Sequence, residues 1–247
     1  MILNLAAYHF VEIDDPPALR ERLQARCEAQ GLRGTVLVAG EGINLFLAGE
    51  PDAVRGFLAE LQSDFRFADM VVKFSESPNL PFRRLRVKLK REIISFRRPE
   101  LQPGKARAPM VPASRLAQWL GRGRDDSGRE LVLLDTRNRE ETAYGSFENA
   151  LVLPIDNFTD LPDALESHRE ALRDKTIVSF CTGGIRCEKA ALWMQQAGFE
   201  HVVQLDGGIL GYFEQVGGAH YQGNCFVFDE RVALMADLTP LHLHEFV

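Results

Sequence analysis

The segment that most restricts how this 247-residue chain can fold runs from residue 176 to residue 187. Thr176, Ile177, Val178, Ser179 and Phe180 form an apolar, β-branched run of the kind found in strands buried on both faces. Cys181 follows, then Thr182, Gly183, Gly184, Ile185, Arg186 and Cys187, and a helical stretch over 188–197 that Gly198 stops. A strand, a glycine turn and a helix start in succession bring backbone N–H groups and the positive end of the helix dipole to one point. That point favours an anion, and the residue at its base is a cysteine whose thiolate it stabilises. A cysteine at a strand end is often only a small packing residue. Neither packing nor a plain turn calls for two glycines followed by an arginine, so Cys181 is read as a nucleophile. Thr182, Gly183, Gly184 and Ile185 are read as the substrate-binding loop around it. Arg186 either fixes a substrate anion or caps loop carbonyls, and guanidinium geometry favours the anion. Cys187 either resolves an oxidised Cys181 or packs in the first helical turn, where packing is the commoner role.

The bulk properties are those of an ordinary globular chain, 45% hydrophobic, with no apolar run near the roughly 20 residues needed to span a bilayer. The N-terminus lacks a basic, apolar, small-residue signal pattern, so no secretory leader is expected. Cys27, Cys181, Cys187 and Cys225 are too scattered for a disulfide framework, which points to a reducing cytoplasm. The net charge of −6 is unevenly spread: residues 73–107 hold eleven Lys or Arg against three acids, a local +8, and the remainder carries −14. Such a block suits phosphate backbones, with Arg84, Arg86 and Lys88 as candidate nucleic-acid contacts and Phe74, Phe82 and Phe96 as possible stacking surfaces. The alternative is a solvated strand face and linker.

The first hundred residues alternate as strand 3–10, helix 16–30, strands 35–39 and 43–48 joined by a glycine hairpin, helix 52–62, strand 70–74 and an added strand 85–94. The order βαββαβ predicts a ferredoxin-like α+β domain over 1–98. Prolines and a glycine over 99–112 mark a linker. Ser114 is expected to cap a helix over 115–120, and strands at 131–134, 150–154, 176–180 and 202–205 alternate with helices at 161–172, 188–197 and 209–216. That alternation predicts a parallel α/β domain over 113–220, with a tail over 221–247. The cysteine loop then lies at a strand's carboxyl end, where such sheets bind ligands.

Asp135 and Arg137 after one strand, residues 145–150 before the next, the six-residue loop 181–186, and Asp206, Gly207 and Gly208 after the last strand together resemble a rhodanese domain. Related dual-specificity phosphatases use one more loop residue, which disfavours a phosphatase. Three separated motifs, at residues 41–44, 181–190 and 226–231, make nearly the whole chain resemble the rhodanese-domain tRNA uridine hydroxylases. The resemblance implies oxygen-dependent 5-hydroxylation of the wobble uridine, with Cys181 essential, molecular oxygen as co-substrate, no cofactor identified and the anticodon stem-loop of tRNA as partner. No membrane association or obligate protein partner is expected. Many relatives carry a cysteine-rich tail that this chain lacks, so a zinc site is not expected, and His242 and His244 are too few to form one. Rhodaneses commonly have His where this chain has Ser146.

Asp135 and Arg137 read best as a structural pair. Glu41 and Asn44 suit turn chemistry as well as RNA contact, and Cys27 and Cys225 are assigned to packing. The competing functional readings are a sulfurtransferase carrying a persulfide on Cys181 and a non-catalytic RNA-binding module, which would leave the intact nucleophile loop without a role.

Overall fold

The computed structural model describes residues 1–241 and divides into two compact units, Met1–Ser95 and the residues from Phe96 onward. In the first unit the order is β1 (Ile2–Phe10), α1 (Pro16–Ala29), β2 (Arg33–Ala39), β3 (Gly42–Gly49), α2 (Pro51–Ser63), β4 (Val72–Ser77) and β5 (Leu85–Leu89). The sheet order is β4-β1-β3-β2-β5, antiparallel among the first four strands and parallel between β2 and β5. This is the ferredoxin-like arrangement with one strand added. α1 forms because Leu19, Leu23 and Cys27 recur every fourth residue and give one buried stripe, while prolines open its first turn and Gly31 follows its end at φ +65. The β2–β3 hairpin closes at Gly40 and Glu41. Gly42 is required there, since at φ +145 an added Cβ would lie 2.0 Å from the His9 carbonyl oxygen.

The last strand is shorter than its alternation suggested. Lys90 N–H still bonds to Val38 O at 2.9 Å, but Ile93 then gives its N–H to Glu41 Oε1 at 2.7 Å and accepts from Asn44 Nδ2 at 3.2 Å. Two side chains thus replace the ladder, and the chain leaves the sheet. The strand expected at 70–74 likewise begins later, at Val72, because Met70 N–H is taken by Phe67 O in the preceding turn.

The second unit contains β6 (Met110–Val111), α3 (Ala113–Arg122), β7 (Leu131–Asp135), α4 (Arg139–Thr142), β8 (Gly145–Phe147), β9 (Leu151–Val152), α5 (Leu161–Glu166), α6 (Arg169–Leu172), β10 (Thr176–Phe180), α7 (Ile185–Gln196), β11 (Val202–Leu205), α8 (Gly208–Val216), β12 (Tyr221–Gly223), β13 (Cys225–Phe226) and β14 (Ala233–Leu234). Its main sheet, β6-β11-β10-β7-β9, is parallel throughout, and all five residues of the central β10 are buried. Parts of the stretch read as a linker belong to this unit: Met110 and Val111 pair with Gln204 and Leu205, and Leu101 and Ala108 are buried. The stretch read as a tail also carries structure, with β12 paired to β8 and β13 to β14. Ser114 is not the cap of α3. Pro112 occupies that position with extended backbone and places Ser114 in the first turn. The helix expected over 161–172 breaks at Ser167 and His168 into two short pieces. Among the described residues no helix is long and apolar enough to cross a membrane.

Candidate active site at the cysteine loop

Cys181 sits at the carboxyl end of β10, and α7 begins four residues later from Gly184, whose φ of +102 makes the turn possible. The residue is 1% exposed, and its sulfur receives the Gly184 N–H at 3.1 Å, with the Arg186 N–H also bonded to it. Burial alone would push this thiol up. It is outweighed by a hydrogen bond from Cys187, the positive charge of Arg186 and the two backbone N–H groups, so the Cys181 thiol is held down at about 6. Cys187 moves the opposite way: burial first, and then the neighbouring Cys181 sulfur, keep it protonated. The pair therefore shares one negative charge, carried on Cys181 and steadied by a thiol donor. Burial pushes both Cys27 and Cys225 up to about 12, in Cys225 against the opposing charge of Arg137 and a hydrogen bond from Thr182. Four buried cysteines thus separate into one whose thiol is held down, Cys181, one kept protonated beside it, Cys187, and two that burial pushes up, Cys27 and Cys225.

The loop is held from the far side by the turn after β11. Ile209 N–H bonds to Cys181 O at 2.9 Å and Leu210 N–H to Thr182 O at 3.0 Å. A Cβ on Gly208 would lie 2.5 Å from Cys181 O and 2.8 Å from both Gly184 N and Thr182 O, at φ +61. Gly208 therefore lets two backbones touch where any side chain would hold them apart.

Arg186 is buried, and both terminal nitrogens bond to Glu141 at 2.6 Å. Its guanidinium is thereby committed to a protein carboxylate while its charge still faces the sulfur. Glu141 is the site residue that sequence reasoning missed. Its signal was present in Asn138 three positions earlier, since the pair forms a capping box in which Glu141 accepts from Asn138 N–H at 3.0 Å. Asp135 and Arg137 are a fully buried pair, joined at 2.6 and 2.9 Å, and Arg137 also bonds to Gly145 O at 2.7 Å. Ser146 donates to Asp135 at 2.7 Å, so it completes this network. The same aspartate-to-arginine clamp, with the arginine's own N–H returning to the carboxylate, recurs at Asp64 with Arg66 and at Asp229 with Arg231. The motif at residues 226–231 is built partly on it.

Thr182 and Gly183 are the half-exposed part of the loop, whereas Gly184 and Ile185 are buried. Arg84, Arg86 and Lys88 lie in the first unit, exposed on or just before the edge strand β5, with Val87 turned inward between them. Phe96 is buried, and Phe74 packs against the core beneath the Arg55 guanidinium, so neither is an open stacking surface. Glu41 and Asn44 clamp Ile93, which accounts for both without RNA. Among the described residues no group of three His, Cys, Asp or Glu side chains could hold a metal ion. His242 and His244 lie outside the described residues.

Residues 2–93 match the model of the UPF0176 acylphosphatase like domain, and residues 113–215 match that of the rhodanese-like domain. A tRNA uridine(34) hydroxylase of Xanthomonas euvesicatoria is 62% identical over 98% of this chain and 97% of its own length. The protein of the same name from Xylella fastidiosa is 57% identical over 98% of this chain and 94% of its own. With both domain types present in order and identity of this degree from end to end, the chain belongs to the tRNA uridine(34) hydroxylase family.

Proposed function

We propose that this chain hydroxylates C5 of uridine 34 in tRNA, in the cytoplasm, with Cys181 as covalent nucleophile and molecular oxygen as oxidant. The observation that carries the reading is a thiol held at about 6, and so ionised at neutral pH, in a loop whose N–H groups are already aimed at it. Thiolate addition to C6 makes C5 enolate-like, and C5 then takes up oxygen as a hydroperoxide. An external two-electron donor such as a dithiol cleaves the O–O bond, leaving C5–OH and releasing water. Loss of the C5 proton and departure of the thiolate restore the double bond, so one O₂, two electrons and two protons are consumed per product and water. Arg186 acts as a positioning residue that holds the thiolate. The half-exposed edge at Thr182 and Gly183 is the approach for the base, and the backbone of Gly184 and Ile185 completes the binding loop. Arg84, Arg86 and Lys88 meet phosphates of the anticodon stem-loop.

The test is intact-mass analysis of the protein with an anticodon stem-loop RNA carrying 5-fluorouridine at the target position. A covalent adduct with wild type and none with Cys181→Ala is expected. Binding without an adduct would remove the covalent route. Release of thiocyanate from thiosulfate and cyanide, with no 5-hydroxyuridine formed in tRNA, would favour persulfide transfer instead.

A further inference from the structure

The sheet of the first unit has two unlike faces. Leu3, Leu5, Val36, Val38, Leu45, Leu47 and Val87 point into the core shared with α1 and α2. On the other face the register sets one row directly across the five strands: Lys73 opposite Ala6, Ala6 opposite Phe46, Phe46 opposite Thr35, and Thr35 opposite Arg86. Four strand spacings make this row about 19 Å long. None of its five residues is buried, and Phe46 is 37% exposed although every other residue of β3, the middle strand, is buried. Its neighbours in the row, Ala6 and Thr35, are small and leave the ring uncovered from the sides. Tyr8 and Leu37 on the same face are only half-buried.

A large apolar ring at the centre of a sheet face contributes nothing to the core beneath it, and here it is bordered by cations. Arg86 closes the row two strands away, roughly 10 Å off, and Arg84 and Lys88 line the same exposed edge. We propose that Phe46 is a stacking platform for an unpaired nucleobase of the RNA substrate, with Arg86 taking a phosphate beside that nucleotide. The proposal rests on the reading of this chain as a tRNA-modifying enzyme and names the RNA contact that reading leaves open. An aromatic ring flanked by cations on a sheet suits single-stranded RNA, because every base offers a π-face and the chain between bases is anionic. A protein segment would find one open ring with only the half-buried Ala6, Tyr8 and Leu37 beside it, bordered by cations, and a bare duplex offers no free base.

The experiment measures binding of the full chain to a fluorescent anticodon stem-loop and to its loopless duplex across a salt series. Phe46→Ala is expected to raise Kd for the stem-loop about tenfold with unchanged salt slope, and Phe46→Trp to keep the affinity. Arg86→Glu is expected to flatten the salt slope by about 0.7 to 0.9. Phe46→Ala must leave duplex binding and the melting temperature near wild type. If wild type binds the stem-loop and Phe46→Ala binds it equally well, this inference is overturned while the enzymatic reading stands. If wild type binds no RNA, both fall. Capture of an apolar peptide by wild type but not by Phe46→Ala, with RNA binding intact in both, would assign the face to a protein partner and overturn the proposal.

Discussion

Among the described residues, the first unit buries only uncharged polar side chains, Asn4, Asn44 and Ser77, whereas the second buries Asp125, Asp135, Arg137, Glu141, Arg186, Glu188 and Lys189. The first keeps its charge outside, along an edge strand, over an apolar core of the ordinary kind. The second spends desolvation on ion pairs, which cost more than apolar packing of the same volume unless geometry is excellent. Two of the pairs lie at one loop, Arg186 with Glu141 and Asp135 with Arg137 at the end of β7, next to Phe180, whereas Asp125 accepts from Thr176 at the opposite end of β10 and Glu188 pairs with Arg107. Four of the seven buried charges therefore lie where the thiol of Cys181 is held down. The first unit buries no charged side chain among the described residues, and its cations Arg84, Arg86 and Lys88 lie exposed on or just before the edge strand.

The contrast is broken most severely by Cys181→Ser, which is expected to abolish 5-hydroxyuridine formation while leaving RNA affinity near wild type; nucleoside mass spectrometry and anisotropy check the two halves. Glu141→Gln leaves Arg186 buried without its counter-charge and should cost about 3–5 kcal/mol in urea unfolding. A loss under about 1 kcal/mol would mean that the pair does not hold the loop. Gly208→Ala forces a Cβ against the loop backbone at positive φ, with an expected cost of about 1–3 kcal/mol and slowed alkylation of Cys181 at neutral pH.

Cys187→Ala removes the thiol donor. A hydrogen bond to a charged group contributes about 1.5–3 kcal/mol, so the alkylation profile of Cys181 should move up by about one to two pH units. Activity then falls at pH 7 and recovers on raising the pH, whereas an unchanged profile would deny the donor role. The depressed Cys181 thiol also sharpens the comparison through stability. With the folded value at about 6 and the ordinary thiol value at 9.0, its contribution is present above about pH 9 and is lost as pH falls toward 6. Wild type should therefore gain stability over Cys181→Ala across that window, and no matching trend should appear for Cys225→Ala. The smallest effect is reserved for the first unit. Reversing charge at Arg84, Arg86 and Lys88 should leave melting unchanged and flatten the salt dependence of tRNA binding by about two to three in slope.

Much of the site was legible because its information is local. The strand at Thr176–Phe180 and the glycines at 183 and 184 lie within one short segment, and strand-to-helix turns of this composition admit few backbones. The βαββαβ order was equally readable, since periodicity of 2 or 3.6 is written along each element. The role of Arg186 was not. An arginine near a cysteine loop reads as an anion ligand until Glu141, 45 residues away, is seen to hold it at 2.6 Å. Likewise Phe74 and Phe96 stood beside basic residues in the chain and are covered, whereas Phe46, which sits in an apolar run, faces outward on the sheet, and Phe65 and Phe228 are more exposed still.

By itself, then, the sequence determined most of the elements, their order and the strand, glycine turn and helix start that frame Cys181, because each depends on residues within about one turn or one strand of one another. Only the tertiary structure decided which charges were paired, which thiol was held down and which aromatic rings stayed open. Those outcomes depend on desolvation and on register between strands far apart in the chain. A one-residue change of register would exchange the buried and open faces of a strand without altering its composition.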